Sequence, residues 1–177
     1  MAVTSGSRLQ FEFMIGGGSP LLMTLPEAND ATGWDQGTPC ALDSSGHVTK
    51  ISSGDVSSAS NVFCMALSPM SSTADGSESK PFLVITDHTV FSAVVAHATT
   101  ASALTQATQV GTIMQITNSA TICPSTNVYV MEIATTDQCG GYCIGNKDAT
   151  GTAYGRNYFI WGPGAYSSDS PWWHCST

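Results

Sequence analysis

The stretch that decides the fold is residues 81–95, Pro-Phe-Leu-Val-Ile-Thr-Asp-His-Thr-Val-Phe-Ser-Ala-Val-Val. Its two apolar runs, residues 82–85 and 90–95, are rich in β-branched and aromatic side chains and are too short for core helices. Between them lie four polar residues, 86–89, which are typical of a turn. The stretch therefore predicts two β-strands joined by a polar turn.

The segments on either side repeat this pattern. Residues 39–42 and 47–51 flank the turn Asp43-Ser44-Ser45-Gly46 and predict a hairpin. Residues 62–67 form an apolar run that predicts a buried strand. Further strands are predicted over residues 111–117, 128–133 and 157–161. No amphipathic helix of useful length is evident, so we predict an all-β protein with a single compact β-barrel or β-sandwich.

The N-terminal region differs from the rest. Residues 9–15 place Leu9, Phe11, Phe13 and Ile15 in alternation with other residues, which predicts a half-buried strand. Glycines and a proline then interrupt the pattern, and residues 21–34 resemble an extended connecting segment. We therefore predict an extended N-terminal arm over residues 1–34, which contacts another subunit or the larger assembly that the protein joins. The β domain then spans residues 35–177 and carries an aromatic C-terminal tail.

Charge excludes several classes of partner. Only 10% of the 177 residues are charged, against roughly 25% in an ordinary soluble domain. Acids outnumber Lys and Arg by 13 to 5, and the cations are scattered along the sequence, so binding to nucleic acid or to an anionic membrane is not expected. No apolar stretch is long enough to cross a membrane, and the first residues do not resemble a signal peptide. We expect synthesis and retention in a cytosol.

Catalytic and metal-binding patterns are weak. Asp87-His88-Thr89 is the one Asp–His neighbour pair, and without a matched nucleophile we interpret it as a polar turn. No C-x-x-C pair occurs, His174-Cys175 has no partner at ligand spacing, and no acidic loop has the calcium-binding pattern. The glycine-rich residues 140–145 predict a tight loop or a strand closely approached by its neighbours. We therefore predict no enzyme activity, no metal and no cofactor.

Four of the six cysteines fall into two groups. Cys40 and Cys64 lie in apolar runs and are predicted to be buried free thiols. Cys139 and Cys143 flank a glycine pair that could bend tightly, and they are the candidate disulfide.

Large apolar side chains toward the two ends of the chain are candidates for an interface. Trp172 and Trp173 could cap the β domain or anchor a contact between subunits, where Trp is enriched. A carbohydrate-binding platform would use the same rings. The candidate interface residues are Leu9, Phe11, Phe13, Trp34, Trp172 and Trp173.

The order of these segments resembles that of small capsid decoration proteins, also called cement proteins, of tailed phages. Residues 37–48 are similar to the opening hairpin of that family, and residues 81–93 are similar to its paired-strand segment. The family's pattern has Gly where this chain has Cys64 and Asp where it has Gln109. The other similar segments are residues 61–67, 109–112, 128–133 and 158–161.

The resemblance implies a virion structural protein on the outside of the capsid, assembled in the host cytoplasm. It also implies binding to the major capsid protein, a homo-oligomer that is often a trimer, and no catalytic residues. Low charge agrees with wide protein contacts, because few charges must be desolvated. A receptor-binding or glycan-binding adhesion module of a phage fibre is the alternative.

Overall fold

In a computed structural model, the described residues of the protein form eleven β-strands and one short 3-10 helix. The structure describes residues 9–29, 33–51, 64–70, 76–86, 88–97, 107–117, 129–133 and 140–161. The 3-10 helix is Ala107–Gln109, and these residues contain no α-helix. The strands are β1 Gln10–Met14, β2 Leu22–Pro26, β3 Pro39–Leu42, β4 Val48–Lys50, β5 Cys64–Ala66, β6 Ser79–Val84, β7 Thr89–His97, β8 Ile113–Thr117, β9 Val130–Ile133, β10 Gly140–Asn146 and β11 Arg156–Trp161. The predicted all-β class is confirmed.

The strands form two sheets in a sandwich-like arrangement. The first sheet has the order β1-β7-β11-β10-β8-β9, and the second has the order β2-β6-β5-β3-β4. Among the described strands, every pairing is antiparallel except that of residues 95–97 of β7, which pair in parallel with β9. Residues 89–92 of the same strand pair with β1, so the long strand β7 pairs with both β1 and β9 along its length. The pairing of β7 with β9 brings the far end of the first sheet back to β7.

The main core lies between the sheets. Phe91 and Phe159 are register partners on β7 and β11, and their rings stack with centroids 5.8 Å apart. Met65 and Leu83 face them from the second sheet. The phenolic hydroxyl of Tyr129 donates a hydrogen bond of 2.5 Å to the carbonyl of Ile51, so the sheets are also joined by a buried polar contact.

A second core covers the outer face of the second sheet. Successive residues of its inner strands alternate between the two cores, as the side-chain period of a strand requires. The second core consists of Trp34, Cys40, Val48, Cys64, Ala66, Met70 and Phe82. Because the inner strands of this sheet are buried on both faces, β5 appears in the sequence as an unbroken apolar run, and its prediction as a buried strand is confirmed for residues 64–66.

The β3–β4 hairpin is present as predicted. Asp43 closes its turn by accepting hydrogen bonds at Oδ1 from the backbone N–H groups of Ser45 (2.8 Å) and His47 (2.9 Å). Gly46 has a φ of 80°, a conformation that glycine adopts without strain. These hydrogen bonds, the one from the His47 backbone first, hold the pKa of Asp43 below its ordinary value.

The predicted N-terminal arm lies along both sheets. Its first strand, β1, pairs with β7 at the edge of the first sheet, and its second strand, β2, pairs with β6 at the edge of the second. Within the segment expected to be an extended connection, residues 22–26 form the paired strand β2. Contact of this region with another molecule stays a prediction.

The glycine-rich segment near residue 140 is a strand. A Cβ on Gly141 would lie 2.8 Å from Cε of Met131 and 3.0 Å from Cβ of Phe159, so only glycine fits there without rearrangement. The sequence left a tight loop and a closely approached strand open, and the structure selects the strand.

Candidate docking surface

The two edge strands of the N-terminal region meet at a corner between the sheets. Chain direction changes at Gly16, Gly17 and Gly18, which all have positive φ angles, of 82°, 78° and 105°. The N–H of Ile15 donates to the His88 carbonyl (2.8 Å), and the N–H of Val84 donates to the Leu21 carbonyl (2.9 Å), so both ends of the corner are fixed to the β6–β7 connection. The edges of both sheets therefore continue into each other around this corner.

Large apolar side chains are exposed along this corner. Between 39% and 57% of the surface of each is accessible. Residues 13–24 contain no charged side chain, so the surface is apolar and uncharged. We call this surface the apolar corner; it consists of Phe13, Ile15, Leu21, Leu22 and Met23. Exposed edge strands with apolar side chains are sites where another chain can pair or pack.

A β-bulge explains how part of this surface arises. Phe11 pairs with Phe91 and Phe13 with Val90, so Glu12 is the extra residue of β1. One inserted residue moves every later side chain to the opposite face of the strand. Leu9 and Phe11 consequently point toward the core, whereas Phe13 and Ile15 are exposed. The prediction that all four share one half-buried face is wrong for this reason.

The bulge also directs Glu12 into a charged cluster. Its Oε1 accepts hydrogen bonds from Ser92 Oγ (2.5 Å) and from the ammonium of Lys147. Arg156 completes the cluster, donating from Nε to Ser92 Oγ (3.0 Å) and from its NH2 group to the Ser92 carbonyl (2.6 Å). The cations predicted to be scattered are therefore partly brought together, because Lys147 and Arg156 lie on either side of the β10–β11 connection.

The ionisation of this cluster follows from its burial and charges. Burial acts to raise the pKa of Glu12, but the hydrogen bonds from Lys147 and Ser92 and the charges of Lys147 and Arg156 outweigh it, so the pKa is lowered. Burial lowers the pKa of Arg156, although Glu12 and Asp148 oppose this. The Glu12 carboxylate accepts hydrogen bonds from two side chains, so the cluster anchors β1. Because this carboxylate is already paired, it is not free to act as a general base.

An open cleft of about 810 Å³ lies beside the edge of β1. Leu9, Phe11 and Met65 contribute apolar walls, and Glu12 and Lys147 contribute its charged groups. The remaining lining residues are Gln10, Gln36, Gly37, Ala66 and Leu67. The cleft and the apolar corner both include residues of β1.

The structure places the predicted interface residues in different environments. Leu9 and Trp34 are both only 2% exposed, and Trp34 packs against Phe82 with ring centroids 6.2 Å apart. Trp34 lies in the second core and presents no surface to a partner, which corrects its naming as an interface residue. Leu9 packs in the main core but also lines the cleft. Phe11 is half-buried at the cleft, and Phe13 is exposed at the corner. Trp172 and Trp173 lie outside the described residues.

The sequence reasoning missed Leu21, Leu22 and Met23. Three consecutive apolar residues cannot all face the core from a strand that is covered on one side only. That run was the available signal for an exposed apolar edge.

The candidate disulfide gains no support. Cys139 lies outside the described residues, and the Cys143 thiol is free and buried. Cys143 donates weakly to the Gly145 carbonyl (3.8 Å) and accepts from Nδ2 of Asn157 (3.5 Å). The tight loop that motivated the pairing is replaced by β10.

Residues considered for chemistry do not assemble into a cluster in the described part of the chain. His88 is exposed in the β6–β7 turn, where its N–H donates to Thr86 Oγ1 (3.3 Å), and Asp87 lies outside the described residues. Within the described ranges, no group of three or more His, Cys, Asp or Glu side chains is placed to hold a metal ion. The same ranges contain no helix that is long and apolar enough to cross a membrane.

Comparisons with known proteins give no relative. No family model matches the chain, and no match is found among curated proteins or among solved structures.

Proposed function

We propose that this protein is a virion structural protein that binds the outside of a viral capsid and stabilises the shell by bridging neighbouring capsid subunits. The observation that carries the proposal is the apolar corner, which presents five large uncharged side chains on the joined edges of two sheets. The resemblance of residues 37–161 to decoration proteins of tailed phages supports it. The proposed partners are the major capsid protein and further copies of this chain.

The physics of shell stabilisation fits such a surface. A cement protein stabilises the assembled shell only if it binds the shell more tightly than free capsid subunits. A wide apolar contact that spans two subunits achieves this difference, because half of the contact is lost when the subunits separate. Neither a catalytic pocket nor a strong charge is needed for this mechanism.

Heads that lack the protein provide the test. Wild-type protein should bind them to saturation at a fixed number of copies per head and should raise the temperature at which they burst. The variant Leu21→Thr/Leu22→Thr should lower affinity about tenfold or more, as expected for a buried anchor at an interface. Threonine retains a preference for strands, so the fold should persist, which circular dichroism checks.

Leu42→Thr is the matched control. Leu42 is exposed to a similar degree, at 42%, but lies on β3, away from the corner. It should bind heads as wild type does. Equal binding by the folded corner variant would contradict the assignment of the surface. Depleted heads that resist heat normally but fail to attach to cells would contradict the cement function and favour the adhesion alternative.

A further inference from the structure

The strand β2 forms one edge of the second sheet. It pairs with β6, and no other described strand pairs with it. The N–H of Val84 donates to the Leu21 carbonyl (2.9 Å), and the N–H of Glu27 donates to the Glu78 carbonyl (3.0 Å). Both pairs continue the β2–β6 register, so the odd-numbered residues of β2 form the hydrogen bonds with β6. The even-numbered residues therefore direct their N–H and C=O groups away from the sheet.

The pattern of backbone donors along this edge is symmetric about Met23. Leu22 and Thr24 each offer one N–H and one C=O, and both residues are exposed. Pro20 and Pro26 lie three residues to either side of Met23 and have no N–H. Prolines limit an edge to a short stretch of pairing and so disfavour open-ended aggregation. A strand that fits this edge must match two complete residues flanked by positions without a donor.

A second copy of β2 has this same pattern. We propose that β2 pairs antiparallel with β2 of a second copy about a two-fold axis at Met23, which makes the protein a homodimer. In this register Leu22 lies opposite the partner's Thr24, and the symmetric pair repeats the arrangement, so two complete pairs supply four backbone hydrogen bonds. The ladder ends at the prolines, which lie opposite each other. Such a contact uses the same surface on both copies and closes with two subunits.

The side chains of this edge suit contact with an identical copy. Met23 lies at the axis, in a non-hydrogen-bonded pair whose Cα atoms are about 4.5 Å apart and whose side chains therefore touch. Met23 is 39% exposed and Leu22 is 57% exposed, and pairing removes apolar surface from water at both. Residues 13–26 contain no charged side chain, so the axis brings no like charges opposite each other.

The charge of the whole protein predicts how salt affects the dimer. Each copy has a formal net charge of −8 at pH 7, so two copies repel each other at long range, whereas the proposed contact itself contains no ion pair. Added sodium chloride screens the repulsion and should therefore strengthen dimerisation. Dimerisation that weakens with salt would show an ionic contact and overturn the proposal.

Analytical ultracentrifugation of the isolated protein over a range of concentrations tests the pairing. Wild type should show a monomer–dimer equilibrium. Thr24→Pro removes an outward N–H but no hydrogen bond to β6, and since the two-fold axis doubles the loss, it should weaken dimerisation about tenfold or more. A wild type that stays monomeric, or a folded Thr24→Pro that dimerises as wild type does, would contradict the proposal.

Thr24→Val is the matched control for this variant. Valine keeps the N–H and the preference for strands, so the variant should dimerise as wild type does. Circular dichroism checks that both variants keep the fold. Equal weakening in Thr24→Val would assign the effect to the threonine side chain and overturn the backbone pairing.

A cross-linking variant tests the register without a proline. In Met23→Cys the introduced thiols of two copies lie opposite each other at a Cα distance within disulfide range, so mild oxidation should join them. Peptide mapping without reduction should find the substituted peptide linked to its own copy. Leu42→Cys is the control, because Leu42 is similarly exposed (42%) but lies on β3, and it should stay unlinked.

Failure of the self-linked peptide to form in Met23→Cys, or equal linkage in Leu42→Cys, would overturn the two-fold register. All of these measurements use the isolated protein without capsids. Their outcome is therefore separate from that of the proposed docking function, whose test is binding to depleted heads.

Discussion

Ser92 donates a hydrogen bond of 2.5 Å from its hydroxyl to the Glu12 carboxylate, and it does so from a fully buried position on β7. Glu12 is the bulged residue of β1, so this bond joins an edge strand to its neighbour where the ladder is irregular. Arg156 donates to the same hydroxyl, which keeps the serine oriented. The edge that carries the apolar corner is therefore fixed by a side-chain cluster as well as by backbone pairing.

The variant Ser92→Ala should destabilise the protein by about 1.5–3 kcal/mol, because it leaves both Glu12 and Arg156 short of a hydrogen bond in a largely buried place. Urea unfolding followed by circular dichroism measures this change. Ser79→Ala, at an exposed position of β6, is the control and should stay within about 0.5 kcal/mol of wild type. Similar stabilities for the two variants would show that the cluster does not hold β1.

The lowered pKa of Glu12 predicts a pH dependence. A carboxyl group whose pKa is lower in the folded than in the unfolded state stabilises the fold above its unfolded value, here the ordinary 4.5, and this contribution is lost as the pH falls through the folded value. Glu12→Gln should therefore be less stable than wild type at neutral pH, and the difference should shrink below pH 4.5. Urea titrations across pH 3–7 measure it. A difference that is constant with pH would contradict the assigned pKa direction.

Gly141 predicts a steric effect in β10. Gly141→Ala places a methyl group against Met131 and Phe159, and the resulting overpacking should cost about 1–3 kcal/mol. Gly145→Ala is the matched control on the same strand, since its Cβ would lie 3.8 Å from Tyr158, an ordinary contact. Thermal unfolding of both variants should show a marked loss of stability for Gly141→Ala only.

Burial also predicts the behaviour of the thiols. Cys40, Cys64 and Cys143 are buried, and burial raises the pKa of both Cys64 and Cys143. An alkylating reagent should leave all three unmodified in the folded, reduced protein at neutral pH and should modify them once denaturant is added. Mass spectrometry of tryptic peptides reads this directly. Rapid native modification of Cys143 would show that β10 opens readily.

Local pattern was sufficient to predict much of the secondary structure. The β3–β4 hairpin follows from two short apolar runs around Asp43 and Gly46, whose conformations depend on near neighbours. Within the run at residues 62–67, residues 64–66 form a buried strand as predicted, since a run without alternation indicates burial on both faces. These predictions held because turn geometry and side-chain period are local properties of the chain.

The candidate docking surface could not be predicted in the same way. The inserted residue Glu12 moves the side chains of Phe13 and Ile15 to the opposite face of β1, and nothing in the alternating pattern indicates a bulge. Trp34 was predicted to be an interface residue, but it packs against Phe82, which lies far along the sequence. Lys147 and Arg156 join Glu12 only because β1, β7 and β11 pair in that order.

The sequence by itself determined that this protein is all-β, sparsely charged and built from short strands, because composition, turn residues and period act through neighbouring residues. Only the tertiary structure decided which apolar side chains remain exposed at the corner and that Cys40 faces Cys64. Those outcomes depend on which strands pair and in which register. The register is set by the free energy of burying apolar side chains from both sheets at once, and this free energy cannot be read from any single segment.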